Sequence, residues 1–297
     1  MESKIDTPKG FGQILDLTFS ISRKKFSEFI LIMLIFLGPI FVLQAVLELA
    51  SGVGFFREVQ AEGAWYDRTL DSFDEISTMR DVAIGFSALL SLIFGPIAGA
   101  AIILAVNHMR KGEEYTVGSV IKSAFSRFWP IFGSNILFYM IAGGLYFIPL
   151  ISIIFLGVLG AAIFPVAGII VAVFLFLVTL FGLGLFLTRL SFYFGSVVLK
   201  EETPGISRSW KLTKGRLWPT FGIYVVFTLI FTCITMALEF SFGLMLGNSV
   251  LLAMIVNVGT LFTSLIFAVG YAVMYFDLKA RHDADDLKEM IGDYQTT

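Results

Sequence analysis

Residues 128–188 read FWPIFGSNILFYMIAGGLYFIPLISIIFLGVLGAAIFPVAGIIVAVFLFLVTLFGLGLFLT, a run of 61 residues without a single Asp, Glu, Lys or Arg. A helix crosses the roughly 30 Å hydrocarbon core of a bilayer in about 20 residues, so this run holds two crossings. A β-barrel would instead show alternating segments of about ten residues, and no such alternation is present. Three short crossings would place the most basic loop outside. Two crossings with a long apolar connection keep the charge pattern, with Pro149 and Pro165 marking where that connection bends.

Working outward, the 297-residue chain is 57% hydrophobic and 15% charged, with a mean hydropathy of +0.86. A soluble domain carries about a quarter charged residues. The pattern predicts an all-α integral membrane protein with six spans: Phe29–Leu49, Val82–Val106, Trp129–Phe155, Ala162–Leu187, Trp218–Leu244 and Val250–Tyr275. The first 25 residues are charged throughout, so no cleavable signal peptide is expected. The lone Cys233 allows no intramolecular disulfide, and a net charge of −2 argues against a nucleic-acid partner.

Basic residues set the expected orientation. Arg110, Lys111, Lys122 and Arg127 lie between spans two and three against two acids, and Arg189, Lys200, Arg208, Lys211, Lys214 and Arg216 between spans four and five, again against two. The loop between spans one and two has Arg57, Arg68 and Arg80 against seven acids. Both termini are therefore expected in the cytoplasm and the acidic loop outside.

An internal repeat organises the chain. Arg127-Phe128-Trp129-Pro130-Ile131-Phe132-Gly133 nearly recurs as Arg216-Leu217-Trp218-Pro219-Thr220-Phe221-Gly222, each copy directly before an apolar span. Tryptophan favours the headgroup level, the preceding arginine can reach phosphates, and proline is tolerated in a first helical turn. Arg127, Trp129 and Pro130, like Arg216, Trp218 and Pro219, thus read as interfacial anchors. Before each hairpin lies an amphipathic helix at the cytoplasmic interface. In Thr116–Phe128 the cap is Thr116 and the apolar stripe Val117, Val120, Ile121, Ala124, Phe125 and Phe128. Phe11–Arg23 carries Phe11, Ile14, Leu15 and Thr18. The third copy is expected to start at Thr203 as cap and Pro204 as first helical residue, with Ile206, Trp210 and Leu217 as its stripe. The result is one membrane domain over 1–297 built of units 8–106, 115–188 and 203–276 with a polar tail, 277–297.

Phe11-Gly12-Gln13-Ile14-Leu15-Asp16, running on to Arg23-Lys24-Lys25-Phe26, resembles the opening of a bacterial family named for the membrane domain of glycerophosphoryl diester phosphodiesterase. Arg189-Leu190-Ser191, Val197-Val198-Leu199-Lys200-Glu201 and Ser207-Arg208-Ser209-Trp210-Lys211-Leu212-Thr213-Lys214-Gly215 look like its second signature. The resemblance covers most of the chain through short motifs. It implies a stand-alone protein of the bacterial cytoplasmic membrane, in a family whose members mostly have no assigned role.

No catalytic residue, metal or cofactor is expected. Phosphodiester hydrolysis of that type needs paired histidines and carboxylates around a divalent metal. The only histidines, His108 and His282, stand in unrelated loops. Ionisable groups in the spans are the default place to look for function. Glu48 and Glu239 lie near the outer ends of spans one and five and would line a vestibule for a cation or proton if those ends meet; the plainer reading is that both reach the aqueous interface. Asn257, near Thr260, Thr263 and Ser264, and Asn135 read as hydrogen bonds between helices. Gly38-Pro39 and Gly95-Pro96 fall at mid-membrane, where paired kinks can mark a transporter site, although Gly95 and Gly99 also form a GxxxG packing face. Arg208, Lys211 and Lys214 are candidate ligands for anionic headgroups. Two functions follow: a non-catalytic accessory or scaffold component working with a membrane-protein partner, a second copy or lipids, or a small transporter or channel for an amphipathic or lipid-like substrate.

Overall fold

The computed structural model describes residues 7–56 and 78–296, with all their side chains except those of 78–80, 161–163 and 283–296. The acidic loop over 57–77 and the side chains of Asp283, Asp285 and Asp286 lie outside the described residues. Ten helices, and no strand, occur among the described residues: α1 (Phe11–Lys24), α2 (Phe26–Ala50), α3 (Thr78–Lys111), α4 (Val117–Phe125), α5 (Phe128–Ile163), α6 (Pro165–Leu190), α7 (Tyr193–Val198), α8 (Ile206–Leu212), α9 (Leu217–Leu246) and α10 (Val250–Thr296). Six of them, α2, α3, α5, α6, α9 and α10, are long and apolar enough to cross a membrane. This is a multi-pass α-helical membrane protein, and each hairpin is preceded by short helices, as the sequence pattern predicts.

The connection between the second pair of long helices departs from expectation. In place of a long apolar link over 148–164, α5 continues through Pro149 to Ile163, and only Phe164 separates it from Pro165 at the start of α6. At about 1.5 Å per residue, 36 residues extend about 54 Å, well beyond the hydrocarbon thickness. The reason is hydrogen-bond supply: an apolar loop leaves amides and carbonyls without partners, whereas a helix interrupted by one proline forfeits a single bond. Small residues let the two helices meet at this turn, where a Cβ on Gly160 would sit 3.3 Å from the Gly168 Cα.

The chain divides into two compact units. Among the described residues the first comprises 12–56, 78–126 and 226–273. Its centre is the α2–α3 hairpin, with Ile32, Met33, Phe36 and Ile40 of α2 buried, along with Ala98, Ala101, Ile102 and Ala105 of α3. The alanines on α3 allow the close backbone approach that apolar surroundings favour. On α1 the buried residues Ile14, Thr18, Ile21 and Ser22 follow helical spacing and define one inward face. α4 turns Val120 and Ala124 inward against α3 and α2, with the Phe125 ring 5.4 Å from that of Phe36. The predicted stripe is therefore partly a protein contact. Thr116 caps α4: its hydroxyl accepts from the Ser119 amide while the Ser119 hydroxyl accepts from the Thr116 amide. Thr116→Ala removes half of this box and is expected to cost about 1 kcal/mol, read as faster hydrogen exchange at Ser119 and a lower thermal midpoint.

Among the described residues the second unit comprises 7–11, 127–225 and 274–296. It is built on the α5–α6 hairpin and on α7, which packs against α5 and α8. Phe192, Val197, Val198, Leu212, Tyr275 and Phe276 form its core. Gly195 lies against the Tyr275 ring so closely that any side chain there would overlap it. The expected start of the third short helix is not observed. Thr203-Pro204 is a cis peptide, Gly205 takes φ +78°, and α8 begins only at Ile206. Its buried face is Ser209 and Leu212, not Ile206 and Trp210, because the Ser209 hydroxyl is engaged by the Phe192 amide and the Arg189 carbonyl. Leu217, assigned to that stripe, opens α9 instead. The sequence-predicted polar tail continues the last helix through Thr296.

Candidate functional site

The first unit carries a chain of buried polar side chains within its spans. Glu48 stands in the last turn of α2 and is 1% exposed. One turn earlier, the Gln44 amide donates to Glu48 Oε1 at 2.8 Å, and Gln44 Oε1 accepts from Asn257 Nδ2 of α10 at 3.2 Å. The i, i+4 spacing puts both α2 residues on one face, toward α10. After α2 the backbone doubles back, with the Ser51 hydroxyl and the Val53 amide both donating to the Glu48 carbonyl. The Gly54 and Phe55 carbonyls then accept from the Val250 and Leu251 amides, satisfying two otherwise orphaned donors at the start of α10. Glu48 is enclosed at this joint. Its Oε2 has no hydrogen-bond partner among the described residues.

Glu239, the other candidate carboxylate, is exposed on α9. A vestibule lined by both is not what this unit forms, since Glu48 is closed off from any open surface. Gln44 escaped the sequence reading. The signal was present in its spacing to Glu48, the only pair of polar side chains one turn apart in the apolar body of α2. Thr260 and Thr263 bond to carbonyls of their own helix. Pro39 and Pro96 each lie inside an unbroken helix, with Pro39 exposed. An alanine at Gly38 would meet the Leu34 side chain at 3.2 Å, whereas Gly95 has open space beside it.

Asn135 accepts a hydrogen bond from the Tyr193 hydroxyl, and Ser191 pairs with Tyr224 at 2.9 Å, so polar groups in the second unit likewise tie helices together. Arg127 does not present itself to solvent as a free anchor: its guanidinium donates to the Val197 carbonyl. Trp129 and Trp218 are 75% and 63% exposed at the second position of α5 and α9, with Pro130 and Pro219 next in the first turn. Arg216 is exposed. His108, outside any metal cluster among the described residues, pairs with Glu113 at 2.7 Å.

A second polar centre forms around Glu201. Lys200 takes φ +65° at the end of α7, and the Glu201 amide donates back to the Ser196 carbonyl, a reversal that turns the Glu201 carboxylate toward α10. There it accepts from Lys279 Nζ at 2.6 Å and from the Tyr275 hydroxyl at 2.8 Å, and Arg208 Nε lies 3.4 Å away. Burial pushes this carboxyl up, but the bonds from Lys279 and Tyr275 and the charges of Lys279 and Arg208 outweigh it and hold it below its usual range. Arg208 is thus occupied inside the protein, while Lys211 and Lys214 are exposed. Nearby, the Arg189 guanidinium stacks on Trp210 at 3.7 Å.

No family model, curated protein or solved structure matches this chain.

Proposed function

We propose that the protein is a non-catalytic accessory or scaffold component of the bacterial cytoplasmic membrane, with both termini cytoplasmic, acting with a membrane-protein partner, a second copy or lipids. We place it with the family of the glycerophosphoryl diester phosphodiesterase membrane domain. One observation carries the functional part: several polar side chains in or beside the spans pair with one another, Asn257 with Gln44, Gln44 with Glu48, Tyr193 with Asn135 and Ser191 with Tyr224. In apolar surroundings such bonds hold helices together rather than solvate cargo. Large apolar side chains along α5 and α6, among them Ile151, Phe155, Ile170 and Phe174, face outward and suit lipid or a partner helix.

The transporter alternative has one observation in its favour, the enclosed Glu48 carboxylate with an unpartnered oxygen. The two readings part on one experiment. Wild-type and Glu48→Gln proteins are purified in mild detergent and reconstituted into vesicles. An accessory component co-purifies with a stoichiometric membrane partner in both forms and passes no ion, lipid or amphipathic compound. Flux in the wild type that Glu48→Gln abolishes would sink the accessory reading.

A further inference from the structure

We propose that the second unit binds the headgroup of a zwitterionic aminophospholipid, a phosphoethanolamine, in the cavity beside Trp210. The proposal deepens the lipid-associated side of the function above and rests on it.

The cavity has a volume of about 480 Å³ and is lined by Glu202, Pro204, Ile206, Ser207, Trp210 and Lys211. It opens on the segment between α7 and α9, where the chain leaves one span and enters the next. That is headgroup depth, and Trp210, 41% exposed, is the residue type that favours it. The charges of the lining decide the ligand. Glu202 and Lys211 face the same space, yet neither pairs with the other, nor with any other charged group among the described residues. Their neighbours show that pairing was available. Glu201, one residue away, has taken Lys279, Tyr275 and Arg208. The two adjacent acids are therefore divided, one engaged by Lys279, Tyr275 and Arg208 and one lining the cavity together with a lysine.

A cavity with one unpaired anion and one unpaired cation complements a zwitterion. Lys211 and the Ser207 hydroxyl suit the phosphate; Glu202 suits an ammonium with N–H bonds to donate. Arg189 reinforces the order. It lies on the Trp210 ring, and its Nε is buried without a hydrogen-bond partner among the described residues, adding positive charge under the aromatic wall. Pro204 and Ile206 give the ethylene link and glycerol an apolar side. An anionic phospholipid without an amine would leave Glu202 facing negative charge. A choline headgroup offers it no N–H.

The test uses the full chain in nanodiscs or detergent with phosphatidylethanolamine, phosphatidylcholine or phosphatidylglycerol, reading lipid retained by native mass spectrometry and the thermal midpoint. Phosphatidylethanolamine is expected to be retained about fivefold to tenfold over the other two, the scale of one well-placed charge. Glu202→Gln should erase that preference by weakening phosphatidylethanolamine and relieving the repulsion of phosphatidylglycerol, and Lys211→Ala should weaken all three. Equal retention of the three lipids, or undiminished preference in Glu202→Gln, would overturn the site. Soluble phosphoethanolamine bound as tightly as the lipid would overturn the lipid assignment. Loss of selectivity with partner recovery intact defeats this proposal alone; flux with selectivity intact defeats the accessory reading alone.

Discussion

Gly205→Ala is expected to lower the stability of the second unit by about 3 kcal/mol, the sum of two separable costs. Gly205 takes φ +78°, a left-handed conformation that costs an alanine roughly 1–2 kcal/mol. A Cβ there would also lie 2.6 Å from the Tyr193 carbonyl oxygen and 3.2 Å from the Ser196 Cβ. That carbonyl has little freedom to retreat. Tyr193 is tied to Asn135 through its hydroxyl, and the preceding Phe192 amide is tied to Ser209. Gly215 supplies the control: it has φ +76° but nothing within 4 Å of a built Cβ. Gly215→Ala should therefore show the conformational cost alone, about 1 kcal/mol. For a chain of this size the Gly205 variant should melt about 6–12 °C lower in detergent, and the Gly215 variant about 2–4 °C lower. Equal shifts would show that the contact with Tyr193 is not rigid and that backbone strain explains both.

Why Gly205 was unremarkable in the sequence illustrates where pattern reading stops. The six spans were legible because apolar length is a local property, and so was the Thr116 cap, which needs only its own hydroxyl and an amide three residues on. Pro165 correctly marked a turn. Pro149 did not, since proline lowers helix stability locally but cannot outweigh the unsatisfied amides of a loop in apolar surroundings. Thr203-Pro204 carried a good start signal for a helix, yet Ser209 is held from two sides by Phe192 and Arg189, and that non-local demand sets where α8 begins. Sequence periodicity identifies a face and not what the face meets. It found Asn257 but not Gln44, and Lys211 but not the unpaired Glu202 across the same cavity. The Glu201 partners stand 74 and 78 residues away, on a helix whose own pattern gives no hint of them.

That separation makes Glu201 the second position of large expected effect. Glu201→Ala removes the counter-charge of Lys279, a hydrogen-bond acceptor of Tyr275 and a partner of Arg208 at one stroke. Lys279 and Arg208 are each 24% exposed, so water compensates only in part, and the expected loss is about 2–3 kcal/mol. Glu201→Gln keeps an acceptor for Tyr275 while losing the charge and should fall between variant and wild type. The pH profile identifies the mechanism. The folded protein holds this carboxyl below its ordinary value of 4.5, so its contribution is fully present above that pH and is lost as pH falls through the lower folded value. The stability gap between wild type and Glu201→Ala should therefore be constant near neutrality and close on acidification below about pH 4.5, measured as the difference between the two unfolding midpoints. A gap that persists unchanged into that acid range would mean the residue acts by filling space. A Lys279→Ala, Glu201→Ala double variant completes the argument: if the ion pair carries the effect, the second substitution adds much less than it costs alone.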